Sequence, residues 1–348
     1  MKIGTYAIRR LRTCAILLLS LLGLLGGGCG KKNNQEQSPP SLTVGLVFDV
    51  GGRGDKSFND AAYRGLERAK KELGINFEYL EPGPGADREA ALRQFASRAD
   101  IGLIFGIGFI FTDDITNVAK EFPGKNFACV DYTYDSSKAL PPNLVALEFK
   151  EEEGSFLVGA LAALMTKTNV IGFVGGMQSP LIKKFEVGYV AGAKYANPGC
   201  DVLVSYAGIT GDAFKNPGKG KELGLGQYGR GADIIYHASG VTGLGVFEAA
   251  REKHKLAIGV DSDQYLEAPG YILTSMIKVV DNSVFEIIKA QKEGKFPGGR
   301  AVMFDIRSKG VDYIYDEHNK ALIPDNVHSK VEEIRSKIIS GEIKVSYQ

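Results

Sequence analysis

Three apolar runs in this sequence finish on an aspartate: Val44 to Phe48 at Asp49, Phe127 to Val130 at Asp131, and Leu256 to Val260 at Asp261. Asp263 lies two residues beyond the last. Short apolar runs bounded by turn residues read as buried strands of an open α/β sheet, and the ligands of such sheets collect at the carboxyl ends of the strands. Four acids at that edge, facing a space between two lobes, suit a ligand rich in hydroxyl groups, because a hydroxyl both donates and accepts. Lys278, at the end of another apolar run, is a partner for them. A Ca²⁺ or Mg²⁺ site would need several carboxylates close together or a loop of alternating oxygen ligands. Only Asp261-Ser262-Asp263 approaches that pattern. Each acid taken singly reads equally well as a turn or helix-cap residue, so the functional reading rests on the set.

The stretch after Asp49 carries further groups able to hold a ligand. Gly51, Gly52 and Gly54 precede Ser57-Phe58-Asn59. Ser57, with Asp60 three residues on, gives a capping-box signal, which would place Phe58 and the Asn59 amide at a helix N-terminus beside Asp49. Phe58, Phe185 and Phe214 offer ring faces for a flat heterocycle, although core packing is the commoner role of a lone phenylalanine. The segment Gly240 to Gly245 comes after a strand and opens a helix, so its backbone N–H groups could meet ligand oxygens. Neither glycine cluster fits a P-loop or a dinucleotide fingerprint, and a phosphate would sit poorly among so many acids. Of the four histidines, only His237 lies near a strand end, and none has metal spacing. There is no Gly-x-Ser-x-Gly elbow and no paired Cys/His site. Catalysis has no strong support in the sequence, and no cofactor is indicated.

These groups need a scaffold, and the periodicity supplies one. The first half reads as strand 44–48, helix 57–73, strand 76–80, a Pro-Gly turn at 82–85, helix 87–98, strand 101–106, helix 109–122, and strands 125–130 and 144–148. At Lys150 the rhythm restarts with a Gly- and Ala-rich helix, 151–166, suited to close packing. Strand 170–174 then leads through a turn at Gly175-Gly176-Met177 into helix 181–196. Next come strand 201–206, helix 217–228, strand 233–237, a helix ending at Glu252, and strand 256–260. Residues 272–277, 282–294, 301–306, 313–315 and 326–340 add strand, helix, two strands and a last helix. Repeated β-turn-α units imply parallel sheets with right-handed crossovers. The expected architecture is two doubly wound lobes joined by a three-strand hinge: 43–148 with about 272–298 as lobe 1, and 149–271 with about 299–348 as lobe 2.

At 348 residues the chain is long enough for two such units. Residues 1–28 hold Lys2, Arg9, Arg10 and Arg12 and no acids; without them 38 basic residues face 41 acidic ones, net −3. That argues against a nucleic-acid binder, which would show a basic face. The basic start, the apolar stretch Ala15 to Leu25 and the small residues before Cys29 read as a signal peptide, 1–28. Cleavage there would leave Cys29 as the lipidated first residue of the mature chain. Gly26 departs from the leucine such sites usually carry, and ordinary cleavage or an uncleaved anchor remain alternatives. Residues 29–42 are polar with paired prolines, a flexible tether. Cys129 sits in an apolar run and reads as core; a pairing with Cys200 is open.

The lipoprotein leader, Asp55-Lys-Ser-Phe-Asn59, Val130-Asp131, Phe185 to Ala193, Asn216-Pro-Gly-Lys-Gly220, Gly259-Val-Asp261 and Thr274 to Lys278 occur in an order that resembles the basic membrane protein family. That family includes purine nucleoside receptor lipoproteins of ABC importers. The resemblance spans about residues 43–340. It implies a type I periplasmic-binding-protein fold, no enzymatic activity, a nucleoside ligand, and ABC permease and ATPase partners at a cell membrane. It also implies roles: Asp131 accepting from the base, Phe58 and either Phe185 or Phe214 sandwiching it, and Asn59, Asp49, Asp261, the Gly240 turn and Lys278 around the ribose. A receptor for a sugar or a signalling molecule, and a nucleoside-cleaving enzyme, are the rival readings.

Overall fold

The computed structural model describes residues 42–82 and 87–347. The leader, Cys29, nearly all of the tether and most of the expected Pro-Gly turn lie outside the described residues.

The first lobe opens with β1 (Thr43–Val47), α1 (Phe58–Leu73), β2 (Asn76–Leu80), α2 (Arg88–Ala96), β3 (Ile101–Ile107), α3 (Thr112–Glu121), β4 (Asn126–Val130) and β5 (Leu144–Phe149). The second contains α4 (Glu151–Met165), β6 (Val170–Met177), α5 (Pro180–Ala196), β7 (Asp201–Gly208), α6 (Pro217–Gly229), β8 (Ile234–Ala238), α7 (Thr242–Lys253), β9 (Leu256–Asp261) and β10 (Ile272–Lys278). The remainder is α8 (Val280–Lys292), β11 (Arg300–Phe304), β12 (Val311–Tyr313) and α9 (Asp325–Ser340). The fold is α/β, as the alternation requires. One sheet has the order β11-β5-β4-β3-β1-β2 and the other β12-β10-β9-β8-β6-β7. All neighbours run parallel except β12, which is antiparallel to β10.

Two expectations need correction. The sequence pattern puts residues 272–298 in lobe 1 and 299–348 in lobe 2, yet β10 pairs with β9 in the second sheet and β11 with β5 in the first. A strand of a parallel sheet is covered on both faces whichever sheet receives it, so its apolar pattern does not name its neighbours. Of the stretch 272–298, α8 and the loop after it return to lobe 1, where α8 packs on α1 and Gly298 lies against Pro142. Second, Gly175, Gly176 and Met177 are not a turn but the end of β6.

The chain crosses between lobes three times, after β5, β10 and β11. At the crossings the Phe149 ring stacks on Phe304 at 4.9 Å, and the Lys150 N–H donates to the Phe304 carbonyl. One apolar cluster runs through both lobes, with a satellite in each. Helix α4 is buried almost all round, including Glu151, Glu152 and Glu153 at its start. It lies against α5 with backbones touching: a Cβ on Gly159, Gly188 or Gly192 would come within 2.3 Å of a facing carbonyl oxygen. Cys129 and Cys200 are buried free thiols, in different lobes. Among the described residues no helix is long and apolar enough to cross a membrane.

Candidate functional site

In each sheet the strand order reverses beside the first strand, between β1 and β3 and between β6 and β8. Crevices at the carboxyl ends of such switch points are where open α/β sheets hold ligands. Both switch points open onto one cavity between the lobes, with about 490 Å³ of atom-free space counting its mouth. Asp49, Phe58, Asn59, Asp131, Phe185, Phe214, Gly240, Asp261 and Lys278 all line it.

Asp49 sits just past β1. Its backbone N–H donates to the Asn59 side-chain oxygen at 3.1 Å, and its carboxylate accepts from the Val50 N–H at 2.6 Å. The Asn59 amide is thereby oriented, and its two N–H donors remain for other partners. A Cβ at Gly108, whose φ is +110°, would collide with the Asp49 carboxylate at 2.2 Å, so only glycine lets β3 end this close. Burial pushes the Asp49 carboxyl up to about 7. Helix α1 starts just beyond, but Ser57 is not its cap. The Asp55 carboxylate accepts from the N–H groups of Ser57, Asn59 and Asp60 at 2.8–3.1 Å and holds the first turn. Ser57 is freed for another task. Its hydroxyl lies 2.7 Å from Asp261 Oδ2 and 3.1 Å from the Val260 carbonyl, both on the opposite lobe. Ser262 Oγ donates back to the Ser57 carbonyl, and Arg64 donates to Ser262 Oγ. The lobes are closed, and this cluster spans them.

Asp131 and Asp261 end β4 and β9 with φ of +61° and +64°. Left-handed backbone is uncommon outside glycine, though aspartate tolerates it better than most residues; here it turns two carboxylates into the gap. Lys278, 1% exposed, closes β10. Its Nζ lies 2.6 Å from both Asp131 oxygens and 3.0 Å from Glu151 Oε1. Burial alone would lower the lysine pKa, but the carboxylates of Asp131, Glu151 and Asp261 outweigh it and hold the charge firmly. Burial raises the Asp131 carboxyl even with Lys278 alongside, and takes Asp261 to about 7. Against its own burial, Glu151 is held low by Lys278 and Lys184. Asp131 Oδ1 is buried against the Lys278 ammonium at 2.6 Å, and a carboxylate oxygen has a second lone pair for a ligand donor.

The rings take two positions. Phe58, Phe149 and Phe185 surround the Lys278 ammonium, their centroids 4.9–5.5 Å from Nζ. Phe185 is only 3% exposed. Phe214 is half-buried, with its ring on Gly176, where a Cβ would come within 2.3 Å of it, and its backbone beside Gly240. Asp263 is the one strand-end acid that does not join the cavity. It is exposed and accepts from the Tyr265 N–H, on the outer rim near Asp316 and His318. The Asp261-Ser262-Asp263 triplet therefore does not converge on a point where a cation could sit.

Sequence reasoning passes over Asp55, the bridging role of Ser57, Glu151, Lys184 and Ser239. Glu151-Glu152-Glu153 reads as ordinary helix-start acid. The missed signal is the composition of residues 154–163: a helix apolar on every side must be buried, and its first turn with it.

The cavity presents carboxylate acceptors from both lobes, an amide donor, open ring faces and, among the described residues, one lining cation already neutralised by two acids. It suits a flat, uncharged ligand with several N–H or O–H donors. A phosphate would meet the acids with Lys278 already committed to them.

The comparisons agree in kind. Residues 42–348 match the family model described as ABC transporter substrate-binding protein, PnrA-like. The CD4+ T-cell-stimulating antigen of Listeria innocua is 37% identical, covering 96% of this chain and 98% of that protein. A protein of Lactococcus lactis named ABC transporter nucleoside-binding protein BmpA is 35% identical, over 87% of this chain and 89% of its own length. A solved structure of an ABC transporter solute-binding protein from Aeropyrum pernix superposes with a TM-score of 0.80 at 28% identity, covering 88% of this chain and 94% of the other. The chain belongs to the Bmp family, the PnrA-like substrate-binding proteins of ABC transporters.

Proposed function

We propose that the protein captures nucleosides, purine nucleosides foremost, outside the cytoplasmic membrane and passes them to the permease of an ABC importer without altering them. The observation that carries this reading is the convergence of nine residues from both lobes on one enclosed, acceptor-rich cavity whose lining lysine is already paired. In this reading the base lies between Phe58 and Phe214. Phe185 is nearly fully buried, whereas Phe58 and Phe214 keep part of their rings open. Asp131 Oδ1 accepts from the base, and Asp49, Asn59, Asp261 and the Gly240 turn surround the ribose. Binding draws the lobes together about the three crossings, and a lipid on Cys29 holds the protein at the membrane. The relative named as nucleoside-binding in Lactococcus lactis supports the ligand class.

Mass spectrometry of small molecules released from the purified protein, with calorimetry against a nucleoside panel, tests the reading. A retained or titrated purine nucleoside is expected, as is loss of binding in Asp131→Ala with the fold intact. Unchanged affinity in that variant would remove Asp131 from the site. Release of free base from inosine would favour the cleaving enzyme instead.

A further inference from the structure

Behind the Gly240 turn lies a buried polar chain that the nucleoside reading leaves without a role. Ser239 lines the cavity, and its Oγ is 3.3 Å from His237 Nδ1. His237 Nε2 lies 3.1 Å from Gln264 Oε1, and the same oxygen accepts the Val260 backbone N–H at 2.8 Å. His237 is fully buried, Gln264 and Ser239 nearly so. The imidazole is gripped by shape: Phe247 meets it edge-on at 4.9 Å, and a Cβ on Gly243 would fall 2.0 Å from the ring.

The proton positions are set by the one group whose polarity is fixed. A backbone N–H can only donate, so the Gln264 atom facing Val260 is oxygen; turned over, the amide would set two donors against each other. That oxygen can only accept, so His237 Nε2 carries a hydrogen. Burial without a neighbouring carboxylate pushes the imidazole pKa down to about 4, so the ring is neutral in ordinary buffers. A neutral ring protonated on Nε2 has a lone pair on Nδ1, and the Ser239 hydroxyl must donate to it. Its proton is then committed, and Ser239 can offer the cavity only lone pairs.

We propose that Ser239 is a specificity-determining contact, fixed as an acceptor by His237 and Gln264, which reads a hydroxyl donor on the bound ligand. His237 is a positioning residue that acts through Ser239. The inference rests on the nucleoside reading for the identity of that hydroxyl, but the proton relay does not depend on it.

Two measurements test the proposal. Imidazole ¹⁵N–¹H NMR of the ligand-free protein should show the His237 proton on Nε2; a proton on Nδ1 would release the serine hydrogen to the cavity and overturn the scheme. Calorimetry with inosine and its 2′-, 3′- and 5′-deoxy analogues should show Ser239→Ala binding inosine roughly three- to tenfold more weakly, the size of one neutral hydrogen bond. That loss should vanish for the analogue lacking the hydroxyl that Ser239 reads. An equal loss for all four ligands, or none for inosine, refutes the contact. His237→Phe should lose a similar factor alone and nothing further in the Ser239→Ala background; additive losses would mean that His237 acts as packing. If the wild-type protein binds none of the four, the nucleoside reading falls, and the NMR spectrum still decides the relay.

Discussion

Replacing Ser57 by alanine should weaken closure while leaving each lobe intact. The side chain is fully buried, and its hydroxyl spans the lobes to Asp261 Oδ2 at 2.7 Å. The helix start is untouched, because Asp55 caps it through the backbone N–H of residue 57. A hydroxyl proton serves one acceptor at a time, and at pH 8, where the Asp261 carboxyl is ionised, a hydrogen bond to a charged partner contributes about 1.5–3 kcal/mol. Donor and acceptor belong to different lobes, so the whole loss falls on the closed form. The closing constant should drop roughly 10- to 150-fold. The dissociation constant rises by that factor if the empty protein is mainly open, and by less if it is mainly closed. Calorimetry with a bound nucleoside gives the first quantity, and small-angle scattering of the empty protein gives the second as an increased radius of gyration. Arg64→Ala, which removes a bond to Ser262 nearer the rim, should show a smaller effect in the same direction. A Ser57→Ala protein with wild-type affinity and wild-type scattering would show that this bridge does not contribute to closure.

Three other outcomes are expected. Lys278→Met leaves Asp131 without its cation and Glu151 with Lys184 alone, and urea unfolding at pH 7 should show a loss of about 3–5 kcal/mol; a loss well under about 1 kcal/mol would contradict the pairing. Phe214→Ala should weaken nucleoside binding by about 1–3 kcal/mol, the usual contribution of a stacked base, with little change in melting temperature, whereas Phe185→Ala should chiefly lower stability; the reverse pattern would exchange their roles. Asp49 and Asp261 sit near 7 when folded, above the roughly 3.9 of an unfolded aspartate. Their contribution to stability is therefore fully present below about pH 4 and lost as pH rises through about 7. Between pH 8 and 5 the melting temperature of the empty protein should rise while nucleoside affinity falls, since protonation removes acceptors; both moving together would refute the assignment.

The site was more legible in the sequence than the topology was. Strand ends are local, so an apolar run stopping at Asp49, Asp131 or Asp261 announces a carboxylate at a sheet edge, and those three do meet. Asp263 fails because the turn beyond β9 swings it outward, a matter of two residues that no periodicity records. The exchange of β10 and β11 between sheets is a long-range pairing choice between equally apolar partners. The capping error at Ser57 has a subtler origin. Asp55 and Ser57 are both good cap types, and only the opposite lobe decides which one is released for a bond across the gap. Ser239, His237 and Gln264 were invisible as a unit, since nothing in spacing links a strand end to a turn two elements later.

Lys278 is the last residue before the second crossing, and its ammonium reaches Asp131 at the end of β4 in the other lobe. Their ion pair therefore sits close to the axle of the molecule, where rotation produces little travel, while Arg64 and Ser262 meet nearer the rim. Parting the lobes would peel the outer bonds first and strain the axle pair last. The empty protein would thus keep a charged pin through each cycle of loading and delivery, and that pin would return the two halves to the same register every time.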